Sequence, residues 1–305
     1  MKNRRKISWP LIFIAPFFIV YIVFNLIPII SGVYISLTSW RGFGALKYVG
    51  VDNYIRLFSR DPTFLNAILN SVIIMLEGMI PLQVFSLVFA SVLNQKLILG
   101  GKSFIRNAFF LPYITTPVAI GLIFSVLLDQ HTGIANFVLM KIGILGSQFD
   151  WLHTASVAKP LVAVMIFWRY FGYVTLFYLA GLQTINKQIY DAATVDGSGR
   201  VRTFVSITLP LMQPVIMFQV VMGILGTLRT FEEPLMLFNS YEGGINHAAQ
   251  TMNMKYFQTA FQQSQFGYGA SMGYVMFLMI GAFTLLYFTV VRRFAGTDYA
   301  GGSDE

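Results

Sequence analysis

Six stretches of this sequence run for 20 or so residues with few charges, and they constrain the fold more than any other feature. They lie near 9–37, 68–94, 105–128, 158–183, 210–238 and 270–291. A helix needs about 20 mostly apolar residues to cross the hydrocarbon core of a bilayer. Inside that core every backbone polar group must find its partner within the protein, which leaves helices as the natural solution for isolated apolar runs. The composition agrees. Of 305 residues, 56% are hydrophobic and 11% charged, against about 25% charged in a typical soluble domain. These features predict an all-α membrane protein with six transmembrane helices.

The placement of Lys and Arg sets the expected orientation. With the N-terminus inside, 12 of the 21 basic residues fall on the cytoplasmic side, 7 on the outer side, and Arg169 and Arg229 inside spans. Residues 1–8 are then a cytoplasmic segment, 9–292 the membrane domain and 293–305 a cytoplasmic tail. The leading "MKNRRK" resembles the start of a signal peptide, but the apolar run behind it is too long for a cleavable one. The net charge of +8 sits in short clusters between spans rather than on one face, so it speaks for topology and against nucleic-acid binding. The chain has no cysteine, which excludes disulfides and thiolate metal sites. On the outer side, 51–71 alternates at helical spacing and predicts a short surface helix.

No catalytic constellation is visible, and no metal site. His131, His153 and His247 are scattered over outer loops. "LGGKS" (99–103) has the ending of a phosphate-binding loop, but Lys96 stands where its first glycine belongs and no strand precedes it.

The polar exception is "IYDAATVDGSGRVRTFVSITLP" (189–210). Two short helices are expected, separated by Gly197 and Gly199, with Ile189, Ala192, Ala193 and Val195 forming an apolar face and Pro210 suiting the first turn of the next span. The loop 184–209 is too patterned for a slack connection. It is either a surface helix on lipid headgroups or a knob that docks into a partner.

At depth, ionisable residues are costly and face a cavity or a partner. Glu77, Arg169, Arg229, Glu232 and Glu233 are the candidates. A pair of Arg229 with a glutamate is one expectation; Arg169 is expected to face either a water-filled cavity or a carboxylate, a fifth-span glutamate or Glu77, and Glu77 is expected near an end of its span. In "FWRYFGYVTLFY" (167–178) the spacing sets Arg169, Tyr170 and Tyr173 on one helix face. Such a face suits a sugar, whose hydroxyls take hydrogen bonds and whose C–H faces stack on rings; an aromatic packing stripe is the commoner outcome.

Asp191-Ala192-Ala193, three residues, Gly197, nine residues and Ile207-Thr208-Leu209-Pro210 resemble the EAA loop of binding-protein-dependent ABC importer permeases. Asp stands for the usual Glu. The flanking "LAGLQTINKQIYDAATVDGSG" is similar to the carbohydrate branch of that family, the maltose and glycerol-phosphate type. "VGVDNY" (49–54), "FFLPYITTPVAIGLIFSVLL" (109–128), "GIAN" (133–136), "DWL" (150–152) and "FGYGASMGY" (266–274) match in order. Asn186, Ser198, Glu232, Glu233, Pro234 and "SYEGGIN" (240–246) depart from the family pattern and leave the particular sugar open.

The resemblance implies the type I ABC importer permease fold, in the cytoplasmic membrane of a prokaryote with both termini inside. It implies partners: a second homologous permease, two ATPase subunits that hold ATP and magnesium, an extracytoplasmic solute-binding protein and a sugar. No cofactor belongs to this chain, which is a transport subunit and not an enzyme. Asp191, Ala192, Ala193 and Gly197 would seat the coupling helix in an ATPase groove. Phe167, Arg169, Tyr170 and Tyr173 on the fourth span, with Gly223, Gly226, Thr227 and Thr230 on the fifth, correspond to the family's sugar contacts. An anionic cargo such as glycerol phosphate or a uronate-bearing glycan is the alternative within the same machinery. A secondary transporter, which needs no ATPase, is the alternative outside it, and a membrane-embedded enzyme is a distant third.

Overall fold

The computed structural model describes residues 9–94 and 102–295; segment 1–8, most of "LGGKS" and the end of the tail fall outside them. In chain order the helices are α1 (Trp9–Tyr21), α2 (Ile27–Ser36), α3 (Asp52–Ser59), α4 (Pro62–Asn94), α5 (Lys102–Ile114), α6 (Pro117–Leu127), α7 (Ile134–Lys141), α8 (Ala155–Gln183), α9 (Lys187–Val195), α10 (Arg200–Thr203), α11 (Leu209–Leu211), α12 (Gln213–Leu228), α13 (Glu232–Phe238), α14 (Met252–Phe257) and α15 (Phe266–Ala295). π-helical turns at Ile22–Leu26 and Phe204–Thr208 join α1 to α2 and α10 to α11, and a third follows α14 at Gln258–Gln262. Among the described residues the only β pairing is an isolated bridge, Thr38 with Tyr48.

Four helices are long and apolar enough to cross a bilayer: Phe13–Ser36, Pro62–Asn94, Ala155–Gln183 and Phe266–Val291. Two bent pairs bring the count to six, Asn107–Ile114 with Pro117–Leu127 at 103° and Arg200–Leu211 with Gln213–Leu228 at 70°. The stretches 105–128 and 210–238 are therefore broken where continuous helices were expected. The first break lies before Pro117. A proline disfavours helical backbone in the residue ahead of it, and Thr116 is extended at φ −62°, ψ 144°, its hydroxyl accepting the Ala119 N–H to cap α6. The second differs from expectation in detail. Pro210 lies within α11, and Pro214 takes the first-turn position of α12. Beyond Leu228 the chain breaks again at Phe231 before α13 begins.

The chain forms two compact units, one of Met1–Asp61 with Tyr256–Val275, the other of Pro62–Lys255 with Met276–Glu305. In the first, the "VDNY" turn has a clear task. The Asn53 amide donates to the Ser36 and Thr38 carbonyls at 2.8 Å each, and the Tyr54 hydroxyl meets Ser36 Oγ at 2.7 Å. The surface helix expected over 51–71 is α3 alone; a new helix starts at Pro62, for the same reason as at Pro117. Arg56 lies 4.0 Å over the Tyr268 ring, whose hydroxyl donates to Asp61.

The second unit is built on α4 and α8. Lipid tails are as apolar as leucine, so close packing rather than the hydrophobic effect holds such helices together, and small residues permit it. Gly78 sits against the Ala163 backbone, and a Cβ at Gly172 would run into the Phe109 carbonyl of α5. Leu82, Ala90, Val174, Tyr178, Leu182 and Met212 are buried between these elements. Gly172→Ala is expected to force α5 off α8, costing about 1–3 kcal/mol or more, read as a lower melting temperature of the purified protein; an unchanged melting temperature contradicts this contact.

Outside the spans the loop 129–153 is tightly tied. Asn136 donates to the Gln130 and Phe149 carbonyls and accepts from Trp151 Nε1, all at 2.9 Å. "GIAN" and "DWL" are thus two halves of one knot. The Asp129 carboxylate is held below the usual range, chiefly by the Thr132 backbone N–H and then by the Thr132 hydroxyl.

Candidate functional site

Two places in the second unit carry the polar residues singled out in the sequence. The first is the loop 184–209. Asn186 caps α9 by accepting the Gln188 N–H at 3.0 Å. At its other end Ser198 N–H donates to the Ala193 carbonyl at 2.9 Å and Gly197 N–H to the Thr194 carbonyl at 3.1 Å, with Gly197 at φ +71°. This is a Schellman closure, which requires left-handed backbone where the glycine stands. Tyr190 and Thr208 hydroxyls meet at 3.1 Å, and Thr203 Oγ1 donates to Ser198 Oγ at 3.1 Å. The loop is therefore a closed helix–turn–helix, as patterned as its sequence.

Its apolar face is not buried within this chain. Ala193 alone is buried; Asp191, Ala192, Ile189, Gly197 and Gly199 are exposed, and Val195 and Val201 are 88% and 78% exposed. A rigid element that presents bare valines beside a carboxylate is built to be covered by something else. Beneath it a cavity of about 590 Å³ opens between the ends of α4 and α8, with Lys187 and Arg200 at its wall.

The second place is a cavity of about 170 Å³ between α4, α8 and α12. Tyr170, Tyr173, Gly223, Gly226, Thr227 and Thr230 all line it, which gathers six of the eight positions expected on the substrate path. Phe167 does not. It packs on Phe171 and Phe85, with ring centroids 5.2 and 6.1 Å away, in an aromatic stripe. Arg169 does not line the cavity either. Successive helical residues are about 100° apart, so Arg169 points to one side of the face that Tyr170 and Tyr173 share.

Two further residues of this cavity, and a third packed against its tyrosines, went unread in the sequence. Gln83 accepts from the Tyr178 hydroxyl and donates to the Gln219 carbonyl at 3.3 Å. Gln219 is buried at the cavity wall, and its Nε2 has no hydrogen-bond partner. Lone amides inside "MIPLQVF" and "VIMFQVV" were the available signal. Tyr113 stacks on Tyr173 at 4.4 Å and 15°, and meets Tyr170 edge-on at 5.8 Å. The Tyr173 ring is thereby already stacked within the chain.

The ion pair at depth joins Arg169 to Glu233, not Arg229 to a glutamate. Arg169 Nη1 donates to Glu233 Oε1 and to the Tyr170 hydroxyl, and the guanidinium carbon lies 5.0 Å over the Tyr170 ring. Both partners are buried, Arg169 at 9% and Glu233 at 6% exposure. Arg229 and Glu232 are exposed at the break between α12 and α13, where a backbone turn lets charged side chains leave the helix bundle. Glu77 is also exposed. It stands near the middle of the 33-residue α4 rather than toward an end, because that helix begins at Pro62, six residues before the expected start. Among the described residues no group of His, Asp and Glu is placed to hold a metal ion.

A multi-pass membrane protein, helical across its described residues, with a largely apolar cavity edged by a few polar side chains between its spans and a closed helix–turn–helix between two of them, has the architecture of a transport subunit. The profile of the family described as "Binding-protein-dependent transport system inner membrane component" matches residues 7–296, and the chain belongs to that family. It is 34% identical to the lactose transport system permease protein LacF of Rhizobium radiobacter over 92% of this chain and 93% of that one. The arabinooligosaccharides transport system permease protein AraP of Bacillus subtilis is 32% identical over 95% and 91%. The fold is that of a chain in the crystal structure of a bacterial alginate ABC transporter bound to its alginate-loaded periplasmic protein, with a TM-score of 0.80 over 93% of each chain at 21% identity. The type I ABC importer permease fold expected from the sequence is the fold observed, and the chain is a permease component and not an enzyme.

Proposed function

We propose that this permease carries a sugar or oligosaccharide across the cytoplasmic membrane. It pairs with a second, homologous permease and with two ATPase subunits that bind ATP and magnesium, and it takes its cargo from a solute-binding protein on the outer side. The carrying observation is the cavity wall, where two tyrosines, two glutamines and two threonines converge, one amide still without a partner. Rings stack on the C–H faces of a sugar, and amides and hydroxyls bond its hydroxyl groups. Relatives named for lactose, arabinooligosaccharide and diacetylchitobiose uptake support the substrate class. Asp191, Ala192, Ala193 and Gly197 form the seat that couples ATPase closure to the spans. Glu77, exposed at mid-span, faces the second permease, because a carboxylate against lipid at that depth costs about 2.5 kcal/mol or more.

The test is uptake of labelled lactose, arabinotriose and diacetylchitobiose by vesicles carrying the whole transporter. At least one should enter in an ATP-dependent manner, and exclusion of all neutral sugars alongside entry of a glycerol phosphate would overturn the reading. The orientation has its own measurement. Val195→Cys, in this cysteine-free chain, should react with an impermeant thiol reagent only from the cytoplasmic side, and Ile144→Cys only from outside. Labelling of position 195 from outside intact cells contradicts it.

A further inference from the structure

We propose that Glu233 determines specificity in this permease: by cancelling the charge of Arg169 directly behind Tyr170, it keeps the wall of the cavity neutral and selects uncharged glycans over acidic ones. The inference rests on the sugar reading above and narrows its substrate class.

No residue lining the cavity is charged. Arg169 is one position from Tyr170, which does line it, and Nη1 of the guanidinium is shared between the Tyr170 hydroxyl at 3.0 Å and the Glu233 carboxylate. Arg169 Nε has no hydrogen-bond partner, and Glu233 is the carboxylate in direct contact with the guanidinium. In a site largely emptied of water, a lone cation at this distance from the wall would attract any carboxylate in the cavity. Paired, the two charges nearly cancel there, and the guanidinium is left to hold the Tyr170 ring and hydroxyl in place.

Glu233 is held where it is by the fold. It lies in the first turn of α13, which starts only because the fifth span breaks after Leu228. That helix packs against α6 at Gly121, where a Cβ would strike Met236 and lie 3.0 Å from the Glu233 carbonyl. Glu233, Pro234 and Leu237 of this helix are buried. The departure of "FEEPL" from an apolar span thus puts one of its two carboxylates beside Arg169 and leaves the other, Glu232, exposed.

Gly226 supplies a reporter, since it lines the cavity and a Cβ there meets nothing within 4 Å. Gly226→Cys is introduced into the cysteine-free chain, and the reconstituted transporter is treated with two methanethiosulfonates of similar size, one bearing a sulfonate and one a trimethylammonium group. With Glu233→Gln the ratio of sulfonate to ammonium rates should rise about tenfold, the effect of one uncompensated charge acting on reagents of opposite sign. With Arg169→Gln the ratio should fall by a similar factor. Arg169→Gln with Glu233→Gln should restore the starting ratio, and Glu233→Asp should keep it. If Glu233→Gln does not assemble, Arg169→Gln reads the same field with reversed sign. Ratios that stay within about twofold in both single variants overturn the proposal, because a purely structural pair would change assembly and not the sign preference of the cavity. The sugar reading fails separately: there the wild-type transporter takes up none of the neutral sugars, while the reagent ratio still shifts.

Discussion

Gly197→Asp is expected to abolish uptake and the stimulation of ATP hydrolysis by loaded binding protein, while the chain still inserts and assembles with the second permease. Gly197 adopts φ +71°, and a Cβ there would meet nothing of this chain within 4 Å. The substitution therefore costs the chain itself only the left-handed backbone penalty of about 1–2 kcal/mol. Any larger effect must come from what covers α9 in the assembled transporter. Asp191→Lys should act in the same way, because a reversed charge repels the partner that the carboxylate was placed to meet. Gly199 is the control. It is extended at φ −70° with open space around it, so Gly199→Ala should keep near-normal uptake. Normal transport by both Gly197→Asp and Asp191→Lys would remove the loop 184–209 from the coupling path.

Arg169→Ala is expected to reduce the yield of assembled transporter at least about tenfold. It strands the Glu233 carboxylate in a buried site, and breaking one side of a buried pair costs about 3–5 kcal/mol. Removing both partners, Arg169→Ala with Glu233→Ala, should restore much of the yield, since no charge is then left alone. Quantifying assembled complex from membranes checks both variants. A yield that falls no further in the single variant than in the double would show that the pair does not support the fold.

How far the sequence could be read depended on whether the signal was local. The loop 184–209 was legible in its two helices and its turn, because capping by Asn186 and the left-handed turn at Gly197 are set within a few residues; the place of Pro210 was not. The six apolar runs were equally legible as lengths of chain. Their breaks were less so, since Pro117 bends one by 103° whereas Pro81 lies inside α4 without ending it; packing, not the proline alone, decides. Tyr170 and Tyr173 were found by helical spacing; Arg169 meets Tyr170 as the spacing expected, but turns away from the cavity that the two tyrosines line. The sequence narrowed a carboxylate partner for Arg169 to the fifth-span glutamates or Glu77, and could not choose among them. Glu233 is 64 residues away, and choosing it over Glu232, Glu77 or a pairing at Arg229 requires knowing that the fifth span breaks and that α13 folds against α6. Gln83 and Gln219 were visible as polar residues in apolar runs, but only the convergence of α4, α8 and α12 makes them one wall.

In the proposed transporter this chain is the membrane path of an ATP-driven importer for an uncharged glycan, with force entering through α9. Uptake into proteoliposomes that contain the complete transporter, with loaded binding protein outside and ATP either enclosed or absent, tests it most directly. The account predicts uptake of a neutral sugar only with both ATP and the binding protein present, and none for the Gly197→Asp transporter. Sugar entry driven by an ion gradient without ATP, undiminished by Gly197→Asp, would contradict it.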